Sequence, residues 1–213
     1  GEEYELEQLE NEGWDRWFHP GLLDNEGNDI RAEDDEDYPD WLDKVSGCKK
    51  VICRRKHSVK KILIYDLDVH QGDGTAKIFE NNDQVYTFSA HSKKNYPLVR
   101  QQSNKDIELE DDITDEEYLN MVSKSLEFVN KMNFDFVFYV AGVDIHKDDK
   151  LGKLNISTEG IKKREKMVIS NFYKNQIPLC GVLGGGYNID FDHLVYLHSI
   201  LHRTCHNILS NEH

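Results

Sequence analysis

Four short apolar runs recur along the chain, and polar stretches separate them. The runs cover residues 62–65, 85–89, 134–140 and 177–183. Continuous apolar runs of this length are typical of strands that are buried on both faces, as in parallel sheets. Together they predict an α/β fold in which a mostly parallel sheet carries helices on both faces.

Three further stretches have apolar residues at the three-to-four-residue spacing of an amphipathic helix. They predict helices over residues 115–132, 158–173 and 191–210, with Thr158 as the N-cap of the second helix. In such folds ligands bind beyond the carboxyl ends of the strands. We therefore expect the functional residues to follow the apolar runs directly.

Polar side chains of suitable chemistry stand at three of these strand ends. Asp66, Asp68 and His70 follow the first run at a spacing of two, which places them on one side of an extended backbone. Asp144 follows the third run, and a glycine triplet with Tyr187 follows the fourth. An open site with three protein ligands is typical of catalytic zinc. Spacing alone leaves helix caps, a structural histidine and a tight turn as equal alternatives.

The acidic residues are concentrated at the start of the chain. Residues 1–47 hold 17 of the 40 Asp and Glu residues but only three of the 26 Lys and Arg residues. This segment therefore accounts for the whole net charge of −14, and the remainder of the chain is neutral. Because such a segment repels phosphates, we expect no direct nucleic-acid binding.

Two interpretations of residues 1–47 remain open. The run of like charge at 33–37 favours a partly disordered segment. The three Trp residues of the chain, which all lie in this segment, favour instead an acidic, aromatic docking peptide for a basic partner. A basic joint with seven Lys and Arg residues follows at 48–61, and residues 62–213 form the predicted α/β domain.

Composition also bears on the compartment. No run of about 18 apolar residues is present, so we expect no membrane span. The acidic start does not resemble a secretory signal, and the four Cys residues form no CxxC pair. These features favour a reducing, intracellular location, either cytoplasmic or nuclear.

Four ordered motifs resemble those of the histone deacetylase family. They are Asp-Leu-Asp-Val-His-Gln-Gly-Asp-Gly-Thr at 66–75, Phe-Ser-Ala-His at 88–91, Ala-Gly-Val-Asp at 141–144 with Asp-Lys-Leu-Gly-Lys-Leu at 149–154, and Gly-Gly-Gly-Tyr at 184–187. The resemblance runs from about Lys60 to the end of the chain and is closest to the class IV and bacterial deacetylase-like branch.

The resemblance implies an arginase/deacetylase-like fold, incomplete on its N-terminal side, and a zinc-dependent amidohydrolase that removes acyl groups from lysine in a histone or another protein. The matching positions are Asp68, His70 and Asp144 for the zinc ligands, Tyr187 for the residue that polarises the acyl carbonyl, and Asp66 and Asp73 for the carboxylates that orient catalytic histidines.

The resemblance implies two further sets of site residues. A monovalent-cation site, for which K⁺ is the expected ion, matches the main chain or side chains of Asp66, Asp68, His70, Ser89 and Ala90. Substrate binding is assigned to Gly185, Gly186 and Tyr96.

The sequence departs from the family at the general base, which is a pair of adjacent histidines ahead of the first motif. None of the ten His residues here are adjacent, and only His19 and His57 precede that motif. Three explanations remain open: a piece of a larger enzyme, which the initial Gly favours; a non-catalytic acyl-lysine-binding or partner-binding relative; or another base, for which His19, His57 and His91 are candidates.

A second histidine pattern lies in the last predicted helix. His198, His202 and His206 recur every four residues, a spacing that can bind a metal. No acidic partner accompanies them, so we interpret them as an ordinary helix face with packing and solvent contacts.

Overall fold

The computed structural model describes residues 59–210. The acidic segment 1–47 and nearly all of the basic joint 48–61 lie outside the described residues, so their assignments stay predictions. Within residues 59–210, no helix is both long enough and apolar enough to span a bilayer.

Nine elements follow one another in the described part of the chain. They are β1 (Ile62–Asp66), α1 (Asp73–Ile78), β2 (Val85–Ser92), β3 (Lys105–Leu109), α2 (Asp115–Asn130), β4 (Phe136–Ala141), α3 (Thr158–Lys174), β5 (Leu179–Leu183) and α4 (Phe191–Ser210). The four predicted strands and three predicted helices are confirmed, whereas β3 and α1 were not predicted.

All five strands are parallel, and their order in the sheet is β3-β2-β1-β4-β5. Within residues 59–210, the chain passes from β1 in the middle of these five strands outward to β3, and then returns to form β4 and β5 on the other side of β1. Each connection between two parallel strands is a right-handed crossover, so connections that run in opposite directions along the sheet place their helices on opposite faces of it. The direction changes between β1 and β4, which makes the carboxyl ends of these two strands the expected ligand crevice.

The buried faces of the central strands hold the core together. Leu63 and Tyr65 of β1 and Val137 and Tyr139 of β4 are fully buried. The Tyr65 ring stacks on Phe88 of β2 with 4.8 Å between centroids. Its hydroxyl shares a hydrogen bond of 2.5 Å with the hydroxyl of Ser125 in α2, so the buried polar atom is satisfied.

The two elements missed in the sequence are those with the weakest apolar signal. Strand β3 reads Lys-Asp-Ile-Glu-Leu, and only Leu109 within it is buried. Among the five described strands β3 is at the edge and pairs with β2 alone, and polar residues are typical of such a position. Helix α1 has six residues and buries only Ala76. Neither element displays enough periodicity to be recognised locally.

The assignment of Thr158 as the N-cap of α3 is wrong, because Ser157 occupies that position. Ser157 has an extended backbone, and its hydroxyl accepts a hydrogen bond of 3.0 Å from the Gly160 amide. Thr158 is already helical, and its hydroxyl instead lies 3.0 Å from Nε2 of His146. The helix therefore begins one residue later than its cap, as N-cap geometry requires.

We expect Ser157→Ala to lower the free energy of unfolding by about 1 kcal/mol, since the cap of α3 is lost. Urea unfolding followed by circular dichroism measures this change. Ser170→Ala, in the interior of the same helix, is the matched control and should leave stability nearly unchanged. An equal loss in both variants would contradict the assignment of the cap.

Candidate metal centre

The three predicted ligands come together in the crevice between β1 and β4. Asp68 and His70 follow β1, and Asp144 follows β4, its neighbour in the sheet. Nδ1 of His70 lies 3.1 Å from Oδ1 of Asp68 and 3.1 Å from Oδ2 of Asp144. The structure therefore brings these three residues together in one cluster.

The route of the chain through this cluster differs from the prediction of an extended backbone. Strand β1 ends at Asp66, and the next residues bend. The Asp68 amide donates to Oδ1 of Asp66 at 2.9 Å, and the His70 amide donates to Oδ1 of Asp68 at 2.9 Å. Aspartate side chains that bond to the amide two residues on compete with strand pairing and bend the chain.

Main-chain amides from neighbouring segments hold the other carboxylate oxygens. Oδ1 of Asp144 accepts from the Val69 amide at 3.0 Å, and Oδ2 of Asp68 accepts from the Gly185 amide at 2.5 Å. Each carboxylate is therefore oriented by backbone that belongs to a different strand end. This arrangement fixes the side chains more rigidly than contacts between flexible side chains would.

Glycines permit the close approach of the loops. A Cβ on Gly142 would lie 2.5 Å from Oδ2 of Asp68, and one on Gly184 would lie 2.7 Å from Cα of Gly142. A Cβ on Gly185 would overlap Oδ2 of Asp144. The glycine triplet therefore lets β5 bring its end against both carboxylates, a role that sequence analysis had not given to Gly185.

The cluster is strongly acidic, and this changes the pKa of each member. Burial raises the pKa of Asp66 to about 8 and that of Asp144 to about 6. Hydrogen bonds that the His70 imidazolium donates to the carboxylates of Asp144 and Asp68 raise the pKa of His70 to about 10. Burial alone would raise the pKa of Asp68, but bonds from His70 and the Gly185 amide hold it below its usual value.

The donor set fits a zinc ion. It combines one imidazole nitrogen with two carboxylate oxygens, which are common zinc ligands. In the described part of the chain, His70 is the only basic side chain within ion-pair distance of Asp68 or Asp144. The His70 and Asp68 side chains are 18% and 13% exposed, whereas Asp144 is fully buried, so one side of the cluster is open to solvent.

Two tyrosines line the open side of the cluster. The Tyr187 ring is nearly perpendicular to the His70 ring, with 6.0 Å between centroids, and the Tyr96 ring lies 6.4 Å from the same imidazole. Both tyrosines are exposed. The structure thus places the rings of Tyr187 and Tyr96 next to His70, and the roles assigned to them stay predictions.

The residues predicted for a monovalent cation lie side by side beneath this cluster. Asp66 pairs with Ser89 in the register of β1 and β2, and Ala90 is also buried. The Ser92 amide donates to the Val69 carbonyl at 2.9 Å, which continues the pairing past the end of β1. The two segments are therefore adjacent along their whole length.

Two other predicted residues lie apart from the metal cluster. Asp73 begins α1, and its carboxylate makes no hydrogen bond to another residue within 59–210. Gly186 faces α4, because a Cβ there would meet Leu194 and His198 at 2.7 and 2.8 Å. The glycine therefore serves the packing of the strand end against the helix.

The candidate bases receive little support from the structure. His19 and His57 lie outside the described residues. His91 is buried, and its ring nitrogens contact the Ser89 hydroxyl at 2.9 Å and the Arg100 guanidinium at 3.1 Å. Burial lowers the pKa of His91. Its contacts therefore lie away from the carboxylates of the cluster.

The histidines of α4 behave as an ordinary helix face. Within residues 59–210, His198, His202 and His206 do not form a group with metal-ligand spacing. His198 is half-buried, whereas His202 and His206 are exposed. This arrangement agrees with the packing interpretation.

Sequence analysis missed a second group with metal-ligand spacing, formed by His146, Asp148 and His193. Nδ1 of His146 accepts a bond of 3.2 Å from the Asp148 amide, and Nε2 lies 3.0 Å from the Thr158 hydroxyl. Because both ring nitrogens have partners and Asp148 is exposed, we interpret the group as structural. Its signal in the sequence is His146 two residues after Asp144.

The fold is a parallel α/β sheet, and the site is an open cluster of two aspartates and a histidine where the direction of the strand order changes. Together these two features define the class of protein. Residues 47–200 match the histone deacetylase domain family. The chain belongs to the histone deacetylase family.

The sequence is also similar to those of individual proteins. The chain is 43% identical over 150 residues to an uncharacterized protein of Picosynechococcus, covering 70% of this chain and 50% of the relative. It is 33% identical over 134 residues to histone deacetylase 2 of Arabidopsis thaliana, covering 61% of this chain and 34% of that protein. The chain thus spans half or less of the length of these relatives.

A solved structure shows the same architecture. The crystal structure of the HDA15 HD domain superposes with a TM-score of 0.55 at 26% sequence identity. The match covers 70% of this chain and 45% of that chain. The predicted arginase/deacetylase-like α/β fold is confirmed.

We expect Gly185→Ala to lower the free energy of unfolding by about 1–3 kcal/mol, because the added methyl overlaps the Asp144 carboxylate. Urea unfolding measures the change. Gly74→Ala is the control, since no atom lies within 4 Å of a Cβ at that position. A Gly185→Ala variant as stable as Gly74→Ala would contradict the close approach of the two loops.

Proposed function

We propose that the chain provides the zinc site of a deacylase that hydrolyses N-acyl-lysine amides in a histone or another protein. The observation that carries this proposal is the convergence of Asp68, His70 and Asp144, with Tyr187 beside His70. Membership of the histone deacetylase family supports the same reaction class.

The chain's own residues perform distinct tasks in this proposal. Asp68, His70 and Asp144 would hold the zinc ion, which would polarise the acyl carbonyl and acidify water. The Val69 and Gly185 amides orient the carboxylates of Asp144 and Asp68. The Tyr187 hydroxyl donates a hydrogen bond to the carbonyl oxygen as negative charge develops there.

The open side of the cluster suits an acylated lysine. The rings of Tyr96 and Tyr187 flank His70 and offer apolar surfaces to the methylene groups of the side chain. Hydrolysis breaks the amide C–N bond, adds the hydroxyl of water to the acyl carbon and returns a proton to the lysine nitrogen. The products are a carboxylic acid and a free lysine.

A monovalent cation, with K⁺ as the expected ion, is proposed beside the zinc site. The main chain from Asp66 to His70 and the neighbouring Ser89 and Ala90 are the residues that would hold it. The adjacent register of β1 and β2 supports this assignment. A cation there offsets the repulsion among buried carboxylates.

One specific observation favours a second candidate function, in which the chain binds acyl-lysine proteins without hydrolysing them. Within residues 59–210, His70 alone has a ring nitrogen in contact with the cluster, and that nitrogen is engaged by Asp68 and Asp144. Proton transfer to a general base accelerates such reactions by about 10²–10⁴-fold. A chain without such a base would bind an acyl-lysine and leave its amide bond intact.

The remaining proposals concern partners and location. The acidic segment 1–47 is proposed to dock on a basic partner, and neither nucleic acid nor a membrane is expected as a direct partner. An intracellular location, cytoplasmic or nuclear, remains a prediction from composition. Cys180 and Cys205, the described cysteines, are both free thiols.

The purified chain should contain one equivalent of zinc, measured by elemental analysis, and should release the reporter from a fluorogenic acetyl-lysine peptide. A hydroxamate should inhibit the turnover. Zinc with peptide binding but no turnover would favour the second candidate function, in which the missing histidine pair is decisive. A folded chain that binds no zinc would contradict both candidates.

Variants of the cluster separate metal binding from catalysis. We expect Asp68→Ala or Asp144→Ala to abolish zinc binding in a competition titration with a chromogenic chelator. Tyr187→Phe should retain zinc and lower turnover by about 10²–10³-fold, as for loss of one oxyanion donor. Asp112→Asn, which is exposed and outside both groups with metal-ligand spacing, is the control. Loss of zinc in Tyr187→Phe would show that its assigned role is wrong.

A further inference from the structure

The carboxylate of Asp149 joins Tyr187 to a tight turn. Its Oδ2 accepts a hydrogen bond of 2.6 Å from the Tyr187 amide. Its Oδ1 accepts from the Leu151 amide at 2.9 Å and from the Gly152 amide at 2.7 Å. The three donors share one anionic acceptor, and such charge-assisted bonds are roughly twice as strong as neutral ones.

The turn itself is fixed against a proposed zinc ligand. The Asp149 amide donates to the His146 carbonyl at 2.9 Å. A Cβ on Gly152 would overlap the main-chain oxygen of Asp144, so the turn lies directly on the backbone of the ligand. The position of Asp149 is therefore determined relative to the metal cluster.

Tyr187, by contrast, has few other restraints on its placement. The residue is 45% exposed, and within residues 59–210 its hydroxyl makes no hydrogen bond. The aromatic contact of its ring in this part of the chain is the one with His70. The orientation of the side chain thus depends on where its backbone is held.

We propose that Asp149 is a positioning residue, which acts through the Tyr187 amide to aim the Tyr187 hydroxyl at the carbonyl of an acyl-lysine bound at the zinc site. The identity of the substrate in this inference rests on the proposed function, whereas the hydrogen bond between Asp149 and the Tyr187 amide does not. Because the turn is fixed on the main chain of Asp144, the hydrogen bond from the Tyr187 amide to Asp149 fixes the tyrosine backbone relative to a proposed zinc ligand.

The same turn also reaches the second tyrosine of the site. The side-chain amide of Asn95, which precedes Tyr96, donates to the Leu151 carbonyl at 2.8 Å. The Lys153 ammonium donates to the Lys94 carbonyl at 3.2 Å. The turn at 149–152 therefore contacts the segments that carry both tyrosines, which are the proposed walls of the substrate channel.

A purely structural role for Asp149 predicts a different response to substitution. In Asp149→Asn the remaining oxygen can accept from the two turn amides, whereas the side-chain NH₂ cannot accept from Tyr187. The substitution therefore preserves the turn and removes the bond to the tyrosine. Asp148→Asn is the matched control, because it removes a neighbouring exposed carboxylate.

The first test is amide hydrogen exchange by NMR on the full chain. Asp149→Asn should accelerate exchange at Tyr187 about tenfold, as for the loss of one charge-assisted bond. Exchange at Gly185, whose amide is bonded to Asp68, should not change. Unchanged exchange at Tyr187 would overturn the inference. If the variant does not fold, the unaltered protein is tested for a through-hydrogen-bond coupling between the Tyr187 nitrogen and Asp149 Cγ. Detection of the coupling would support the inference, and its absence would overturn it.

The second test is a double-mutant cycle on the zinc-loaded chain, with binding of a fluorescein-labelled acetyl-lysine peptide as the readout. Asp149→Asn should weaken binding about tenfold with zinc content retained, and should have no further effect in a Tyr187→Phe background. An equal loss in both backgrounds would overturn the inference. If the unaltered chain binds no peptide, the proposed function fails, and the exchange experiment still decides the role of Asp149.

Discussion

Three aspartates, Asp66, Asp68 and Asp144, converge at the carboxyl ends of β1 and β4, and the burial of their carboxyl groups is the constraint on which the surrounding structure depends. Buried carboxylates are costly unless hydrogen bonds or cations compensate their charge. The chain meets this requirement with main-chain amides from Val69, Asp68, His70 and Gly185. A protonated His70 imidazole supplies positive charge, and a metal ion would take over this role, since a ligating imidazole is neutral.

The loops that carry these carboxylates are themselves held in place by a buried side chain of α3. Arg164 of α3 is fully buried and donates to the Gly142 carbonyl at 2.7 Å and the Leu67 carbonyl at 3.4 Å. These carbonyls belong to the two loops that carry the carboxylates. The guanidinium is itself paired with Glu165 at 2.5 Å. A single buried ion pair therefore links the helix layer to both halves of the metal cluster, so packing and site geometry depend on each other.

Much of the fold and the candidate site follows from local pattern. Apolar runs that end abruptly in charged residues identify central strands, because only a doubly covered strand tolerates continuous hydrophobicity. Parallel strands bring their carboxyl ends to one edge of the sheet, so Asp68, His70 and Asp144 were expected at that edge, but only the strand order makes β1 and β4 neighbours. The edge strand β3 escaped recognition because it buries too little to show a pattern.

The sequence by itself determined the α/β class, the positions of the main elements and the chemical types at the strand ends. Only the tertiary structure decided how those groups are held: the bends after Asp66, the engagement of His91 by Ser89 and Arg100, and the bond from the Tyr187 amide to Asp149. Each of the last two depends on contacts between segments that come from different strand ends or loops. Local periodicity carries no information about such partners, because it reports which face of an element is buried and not which segment covers it.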